Sequence, residues 1–205
     1  MDRASRTRDP SASVDDDTET PPEPPGRSPV STFFADTPPD VEAWLQRRRD
    51  RGLDGRDEIW EGVLHVTPCE HRRNTRTAQR LARLVQDAAD AVGLEVTGPF
   101  NLGTPEDFRI PDLALIHVHA GDALYDEGAA VVVEVLSPHD ETFAKSSFYA
   151  AHRVQELWVL DPLDRSVRIW QLAVGRAAQF EETGRSDLLG LSAAAVQGQL
   201  DWPEG

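Results

Sequence analysis

The sequence predicts an α/β domain, built on a mixed β-sheet with helices on its faces and preceded by a polar tail. Three observations predict it: short β-branched runs bounded by turn residues, one long stretch with helical spacing of apolar residues, and alternation between the two. From residue 71 onward the predicted order is an αβββαβ core with a C-terminal hairpin, and a helix and a strand precede it. Strand–helix–strand units mixed with hairpins are typical of a mixed sheet.

The first 36 residues are expected to form a disordered, acidic, proline-rich tail, and residues 37–205 the folded domain. Asp, Pro, Ser and Thr dominate the tail, which contains the stretch PPEPPGRSP. This composition buries too little apolar surface to offset the entropy lost on ordering. The alternative is an acidic arm that contacts a partner or occupies a basic site.

Two helices and one strand are predicted in the first half of the domain. Residues 41–49 form a short helix that ends in arginines, and residues 58–66 alternate as one strand. Residues 71–92 have apolar side chains at helical spacing and predict a long helix, which Gly93 ends. The outer face of this helix carries five arginines: Arg72, Arg73, Arg76, Arg80 and Arg83.

Three strands follow the long helix. The first is predicted at residues 94–102, broken by Gly98-Pro99, and the second at residues 108–119. A polar, acidic loop over residues 120–128 leads to the third, a short β-branched run at residues 131–136. Such a run is typical of a buried strand.

A helix and a hairpin complete the predicted core. Ser137 or Asp140 can cap the helix. The hairpin consists of strands at residues 156–160 and 167–172, joined by a turn rich in Asp and Pro. The remaining C-terminal residues are weakly patterned and predict no definite element.

Two acidic residues stand out in this framework. Glu134 is a single carboxylate inside the run VVVEVL, where a charge is costly unless it binds something. Asp112 follows Pro111, which cannot donate a hydrogen bond to a strand and so marks a strand start or a bulge. If the strands that carry Asp112 and Glu134 pair, both carboxylates can point at one spot.

The chemistry of these side chains predicts a metal-dependent phosphodiester site. Two carboxylates, with backbone carbonyls and waters, are the hard oxygen ligands that Mg²⁺ or Mn²⁺ prefers. Lys145, the only lysine in the chain, lies on the helix after Glu134, where it could orient the attacking water or stabilise developing charge. Tyr149, one turn further on, could fix Lys145 or contact phosphate.

Five motifs together carry a family resemblance. They are an E-x-x-x-G-x-L opening at residues 58–64, P-D at 111–112, E-V-L-S-P at 134–138, K-x-x-x-Y at 145–149, and E-L-W-V-L-D-P at 156–162. In this order and spacing, the chain resembles the Uma-type restriction endonuclease family of the PD-(D/E)XK nuclease superfold, from about residue 57 to residue 172. The resemblance implies a restriction-endonuclease-like fold.

The resemblance also implies roles for individual residues. Asp112 and Glu134 are expected as metal ligands, and Lys145 as the catalytic lysine. The superfold's usual lysine would stand at Leu136, so in this family the lysine is expected on the helix instead. Val63 stands where the family often has an acid, which leaves Glu58 or Glu61 as the extra acid.

Simpler explanations stay open for most of these residues. Asp112 could cap a turn, and Lys145 could pair with Glu141 four residues before it. His71, at the head of the long helix, is either a cap or an accessory site residue. Glu156 is a further candidate accessory residue, although pairing with an arginine is the favoured interpretation.

The composition limits the classes of function. The formal net charge is −15, of which residues 1–40 contribute −5, so residues 41–205 carry −10. This argues against loose binding to nucleic acid and requires a local arginine patch, a metal-screened site or a partner chain. A single cysteine excludes an internal disulfide and a cysteine-based zinc site.

The sequence predicts a cellular location and leaves three hypotheses for the function. No apolar run reaches the ~20 residues of a membrane span, and no secretory signal is apparent, so a cytoplasmic location is expected. The first hypothesis is a Mg²⁺-dependent DNA endonuclease, for which a homodimer would suit double-strand cutting. The second is a non-catalytic interaction module that keeps the fold, and the third is an acidic mimic of DNA.

Overall fold

A computed structural model describes residues 31–33, 38–67, 70–118, 123–137, 141–173, 175 and 178–204. In that part of the chain the helices are α1 (Pro39–Arg49), α2 (Arg72–Ala91), α3 (Ser146–Ala151) and α4 (Ala193–Gln199). The strands, β1 to β12 in chain order, are Ser31–Phe33, Glu58–Trp60, Val63–Val66, Leu94–Thr97, Asn101–Thr104, Asp107–Arg109, Leu113–His117, Tyr125–Asp126, Val131–Val135, Glu156–Asp161, Ser166–Leu172 and Phe180–Glu182. The predicted tail lies outside the described residues except for β1.

The strands form two mixed sheets. The central sheet has the order β12-β11-β10-β9-β7-β4, and the second sheet has the order β1-β3-β2-β6-β5-β8. In the central sheet, β9 and β10 are parallel and the other pairs are antiparallel. Along the chain, α2, β4, β7, β9, α3 and β10 reproduce the predicted αβββαβ core, and β10 and β11 form the predicted hairpin. The predicted fold class is therefore confirmed.

The central sheet is buried on both faces. On one face, Val131, Val133 and Val135 of β9 pack with Leu81 and Val85 of α2. The other face carries a second apolar cluster, which includes Leu102, Ala114, Val132, Phe148, Tyr149, Leu157 and Val159. Because side chains alternate along a strand, Glu134 faces this second cluster, together with Val132. Glu134 therefore lies between the central sheet and the helix α3.

The presence of two sheets corrects the strand predictions for residues 94–119. The predicted strand at 94–102 divides into β4 in the central sheet and β5 in the second sheet, on either side of Gly98-Pro99. The predicted strand at 108–119 likewise divides into β6 and β7 at Ile110-Pro111-Asp112. Since proline cannot donate to a ladder, each break lets the chain leave one sheet and enter the other.

A tight turn corrects the prediction of a single strand at residues 58–66. The structure has the antiparallel hairpin β2–β3, with Trp60 paired to Val63 across the turn. Both turn residues have positive φ, 49° at Glu61 and 82° at Gly62. A two-residue hairpin loop requires this left-handed backbone, and a non-glycine first residue conceals it in the sequence.

None of the helices in the described part of the chain has the length and hydrophobicity needed to cross a lipid bilayer.

The close approach of β5 and β6 gives a prediction for the fold. Gly103 has a φ of +124°, and a Cβ atom there would overlap the carbonyl oxygen of Asp107 and lie 3.0 Å from the ring of Phe148. Gly103→Ala should therefore lower the free energy of unfolding by roughly 2–4 kcal/mol, measured by urea denaturation. Gly98→Ala, with no atom near the added Cβ, is the matched control and should change stability by less than about 0.5 kcal/mol. Equal denaturation midpoints for the two variants would contradict this packing.

Candidate active site

Asp112 and Glu134 come from neighbouring antiparallel strands. In the pairing of β7 with β9, Leu113 stands opposite Val133, so Asp112, one residue before Leu113, comes beside Glu134. The Oδ2 atom of Asp112 accepts a hydrogen bond from the N–H of Val135 at 2.8 Å. The side chain thus takes the place of a ladder partner where the chain crosses between sheets. The condition that the sequence left open, that these two strands pair, is met.

Lys145 lies between acids from the two sheets. Its Nζ atom donates to Oε1 of Glu58, on β2, at 2.9 Å and lies 3.4 Å from Oε1 of Glu134, on β9. Only 14% of its side chain is exposed. The sequence left Glu58 or Glu61 as the extra acid, and it is Glu58 that contacts Lys145. Lys145 therefore pairs with Glu58 and Glu134 and not with Glu141, the alternative partner.

Glu58 is itself held in place by hydrogen bonds. Its Oε1 atom accepts from the N–H of Ile110 at 2.7 Å, and its Oε2 atom accepts from the indole N–H of Trp60 at 2.6 Å. Ile110 lies at the crossing between β6 and β7, two residues before Asp112. The same acid therefore ties Lys145 to the segment that carries Asp112.

Tyr149 contacts the acid rather than the lysine. The tyrosine is completely buried, and its hydroxyl donates to Oε1 of Glu134, the oxygen that also faces Lys145. The helix that carries these side chains is shorter than predicted: a 3₁₀ turn over Thr142–Lys145 leads into α3. Of the two predicted caps, Asp140 lies outside the described residues, and the hydroxyl of Ser137 accepts from Asn74.

An arginine and a second acid extend the site at Asp112. A guanidinium nitrogen of Arg56 bonds Oδ1 of Asp112 and lies 3.3 Å from Oε2 of Glu70. Arg56 and Glu70 were not predicted. Their contacts span 56 and 14 residues along the chain, and no local spacing connects them to Asp112.

Asn74 fixes the end of β9. Its amide donates to the carbonyls of Val135 and Leu136, at 3.2 and 3.3 Å, and to the hydroxyl of Ser137 at 2.7 Å. Asn74 is buried in the first turn of α2. A buried asparagine on the inner face of an amphipathic helix is a signal in the sequence that could have identified it.

Three predicted accessory residues lie apart from Lys145 and its acids. Glu61 is exposed in the β2–β3 turn, and its N–H contacts Asp107. His71 is exposed and caps α2, because its Nδ1 atom accepts from the N–H of Arg73. The cap is thus the alternative that the structure supports for His71.

Glu156 is the third, and it lies on the opposite face of the central sheet from Glu134. It shares a face of β10 with Trp158, which packs in the same apolar cluster as Leu81 and Val85 of α2. Its carboxylate accepts from the N–H groups of Asp187 and Leu188 and from the indole of Trp158. The expected pairing with an arginine is wrong, because backbone and indole donors satisfy this carboxylate instead.

The electrostatics of the site are dominated by burial. Desolvation raises the pKa of Glu134 to about 8, and the nearby acids Asp112 and Glu58 add to this, while Lys145 opposes it. Burial also raises the pKa of Asp112, against the N–H of Val135 and Arg56. For Lys145, burial alone would lower the pKa, but Glu134 and Glu58 outweigh it and raise that pKa. The lysine therefore stays cationic at neutral pH.

The donor set of the site suits a hard cation. Counting Glu58, Glu70, Asp112 and Glu134 against Arg56 and Lys145, full ionisation leaves two excess negative charges. Each oxygen of Asp112 and Glu134 accepts at most one of the hydrogen bonds described, which leaves a lone pair for a metal ion. Among the described residues, no three Asp, Glu, His or Cys side chains form a ready cluster for a metal ion. Asp112 and Glu134 could thus supply two ligands, with waters completing the coordination.

Comparisons with known proteins identify similar chains. The profile of the Uma2 family, described as "Putative restriction endonuclease", matches residues 39–200. Among solved structures, the chain is similar to the crystal structure of "a putative nuclease belonging to DUF820" from Anabaena variabilis ATCC 29413, with a TM-score of 0.54 and 13% sequence identity. The similarity covers 70% of this chain and 90% of that one, and at this identity it shows a shared fold. No curated protein matches the chain.

The raised pKa of Glu134 predicts how stability depends on pH. A pKa that rises from 4.5 to about 8 on folding means that the folded state binds the proton more tightly than the unfolded state. This contribution is complete below pH 4.5 and is lost as pH rises through about 8. Relative to Glu134→Gln, the free energy of unfolding of the wild type should fall by up to about 1.4 kcal/mol per pH unit in that interval.

Urea denaturation at a series of pH values measures this difference. The control is Glu95→Gln, which removes an exposed glutamate from β4 at the edge of the central sheet. Its profile should run parallel to that of the wild type. Parallel profiles for Glu134→Gln and wild type would instead mean that Glu134 is not protonated preferentially in the folded state.

Proposed function

The chain belongs to the Uma2 family, which confirms the family resemblance of its motifs, and from this premise we propose that it is a metal-dependent endonuclease that hydrolyses DNA phosphodiester bonds. The observation that carries the proposal is the group of Asp112, Glu134 and Lys145, with Glu58 as the additional acid. A buried lysine among buried acids on two sheets is costly for stability, and such costs are concentrated at functional sites.

Each residue has a role that follows from its environment. Asp112 and Glu134 would hold the metal ion, Mg²⁺ with Mn²⁺ as the alternative. Bound there, the ion would supply the Lewis-acid chemistry that activates water and neutralises charge on the phosphate. Lys145 stays cationic, so it would orient the attacking water and stabilise negative charge rather than accept a proton. Tyr149 would set the rotamer of Glu134 through its hydrogen bond.

Proton release would accompany occupation of the site. With its pKa near 8, Glu134 carries a proton at neutral pH while the site holds no cation. A carboxylate must be ionised to bind a metal ion, so binding would displace that proton to solvent. Glu58 would keep the ammonium group of Lys145 in place, and Tyr149 would hold Oε1 of Glu134, while the charge of Glu134 changes.

The second candidate is a non-catalytic interaction module. The charge of −10 on residues 41–205 favours it, because an acidic surface repels free DNA. In this case the acids and Lys145 would form a metal or partner site without hydrolysis. Both candidates have the same fold, so only a measurement of DNA cleavage distinguishes them.

Cleavage of purified DNA with and without Mg²⁺ or Mn²⁺ tests the proposal directly. The wild type should nick or cut a supercoiled plasmid with the metal and not after chelation with EDTA. Glu134→Gln, Asp112→Asn and Lys145→Met should each reduce the rate about 100-fold or more, since each removes a charge or ligand from the reacting centre. Linear product would indicate paired cutting of both strands, as in a homodimer, and nicked product a single site.

Glu95→Gln serves as the control for charge, and it should cleave at the wild-type rate. Equal residual cleavage in Glu134→Gln and wild type would assign the activity to a contaminant. The nuclease proposal fails if a clean preparation shows no metal-dependent cleavage. Metal binding that persists without cleavage would favour the interaction module.

Metal binding itself predicts a shift in thermal stability. A ligand bound only by the folded state adds about 2.7 kcal/mol of stability at 100 times its Kd. Mg²⁺ or Mn²⁺ should therefore raise the Tm of the wild type, followed by circular dichroism, and the shift should vanish in Asp112→Asn. A shift of equal size in both proteins would place the bound metal elsewhere.

A further inference from the structure

A row of arginines on α2 has no role in the site described above. Residues 72–83 contain five arginines and no acidic residue, in a chain whose net charge is −15. At 3.6 residues per turn, the five fall within about 100° around the helix axis, on the side away from the buried residues Leu81 and Val85. We call them the arginine ridge, with Arg72, Arg76 and Arg83 on its outer line and Arg73 and Arg80 beside it.

Most charges of the ridge have no ion-pair partner among the described residues. In the part of the chain that the structure describes, Arg80 is the member with an ion pair, to Asp201 at 3.1 Å, and Asp201 is 81% exposed. Arg72 and Arg83 are exposed. Arg73, Arg76 and Arg80 are half-buried. An arginine row that stabilised the fold would be expected to face acids, and among the described residues only Arg80 does so.

The position of the ridge also costs stability. Arg72, Arg73 and Arg76 lie in the first turns of α2, and the first turn has no acidic residue. Positive charge is unfavourable at this end of a helix because the peptide dipoles already place positive charge there. The arginines therefore oppose the local preference of the helix, which points to a function outside it.

The helix that carries the ridge begins next to the strand end that follows Glu134. Asn74, in the first turn of α2, bonds the end of β9 just after Glu134. Glu70, two residues before α2, joins Arg56 at Asp112. The row of positive charge therefore starts near the end of β9 that follows Glu134, on a helix that packs on the opposite face of the central sheet from the Glu134 side chain.

We propose that the arginine ridge binds the phosphate backbone of duplex DNA and holds it in register with the site. The inference rests on the proposed function and names how its substrate is bound. From Arg72 to Arg83 the helix rises about 16 Å, which corresponds to about five base pairs at 3.4 Å each. Guanidinium groups suit phosphate because they offer paired donors in one plane.

The salt dependence of DNA binding tests the ridge without cleavage. Binding of a fluorescent duplex is measured by anisotropy in EDTA over a range of salt concentrations. Each arginine that contacts a phosphate contributes about 0.9 to the slope of log K against log salt. The triple variant Arg72→Gln/Arg76→Gln/Arg83→Gln should therefore lower the slope by about 2–3, and Arg→Lys at the same positions should retain it.

The matched control removes three exposed arginines on or near β11, by Arg165→Gln/Arg168→Gln/Arg185→Gln. It changes the net charge equally and should leave the slope near that of the wild type. Circular dichroism of both triple variants checks that they are folded, and the Lys variant keeps the test valid if the Gln variant is not.

Distinct outcomes separate the ridge from the nuclease proposal. Wild-type binding and slope in the Gln variant, or an equal loss in the control, would overturn the ridge even if the protein cleaves DNA. No measurable duplex binding at low salt would overturn it as well. A lower slope in the Gln variant supports the ridge even if no cleavage is seen. If the Gln variant kept DNA binding but lost binding to vesicles of anionic lipid, the ridge would be a lipid contact and the proposal wrong.

Discussion

The position of Lys145 between Glu58 and Glu134 is the interaction on which the site depends. One ammonium group joins a carboxylate of the second sheet to a carboxylate of the central sheet. Without it, buried acids would face one another across the contact between the sheets, and unpaired buried charge is among the costliest features a fold can hold. The lysine thus compensates locally for a concentration of acids that packing alone would not retain.

The rest of the arrangement follows from how the chain reaches that lysine. Two proline-containing segments move the chain between the sheets, and the second of them ends at Asp112. There the side chain of Asp112 accepts a hydrogen bond from the N–H of Val135, the residue after Glu134. This side-chain bond takes the place of a backbone hydrogen bond between β7 and β9. The irregularity that ends one strand is therefore the feature that aims the acid at the site.

The sequence predicts the parts of this structure that depend on local pattern. The αβββαβ order and the hairpin of β10 with β11 follow from buried runs and turn residues. The two-sheet arrangement does not follow from local pattern, because a segment that passes from one sheet to the other has the sequence pattern of a single continuous strand. The hairpin at Glu61 was missed for a related reason, since a glutamate at positive φ gives no turn signal.

The residues of the candidate site also fall into those that local sequence pattern predicts and those that it does not. Asp112, Glu134 and Lys145 were accessible because each violates a local expectation: an acid after proline, an acid in an apolar strand, and a lone lysine in an arginine-rich chain. The positions of Arg56 and Glu70 depend on contacts across the fold, which no spacing encodes. Glu156 shows a different error. A glutamate before a buried strand suggested an arginine pair or an accessory site residue, but its carboxylate accepts from the N–H groups of Asp187 and Leu188 on the other face of the sheet.

The distribution of charge connects the site to the surface around it. An acidic domain repels DNA over most of its surface, so any contact must come from places where positive charge is concentrated. If the arginine ridge and Lys145 supply that charge, the surrounding acids restrict DNA to one orientation by making the others unfavourable. Specificity is a difference between affinities, and repulsion contributes to it as much as attraction does. The negative net charge, which at first argues against a nuclease, then becomes a means of positioning the backbone at Asp112 and Glu134.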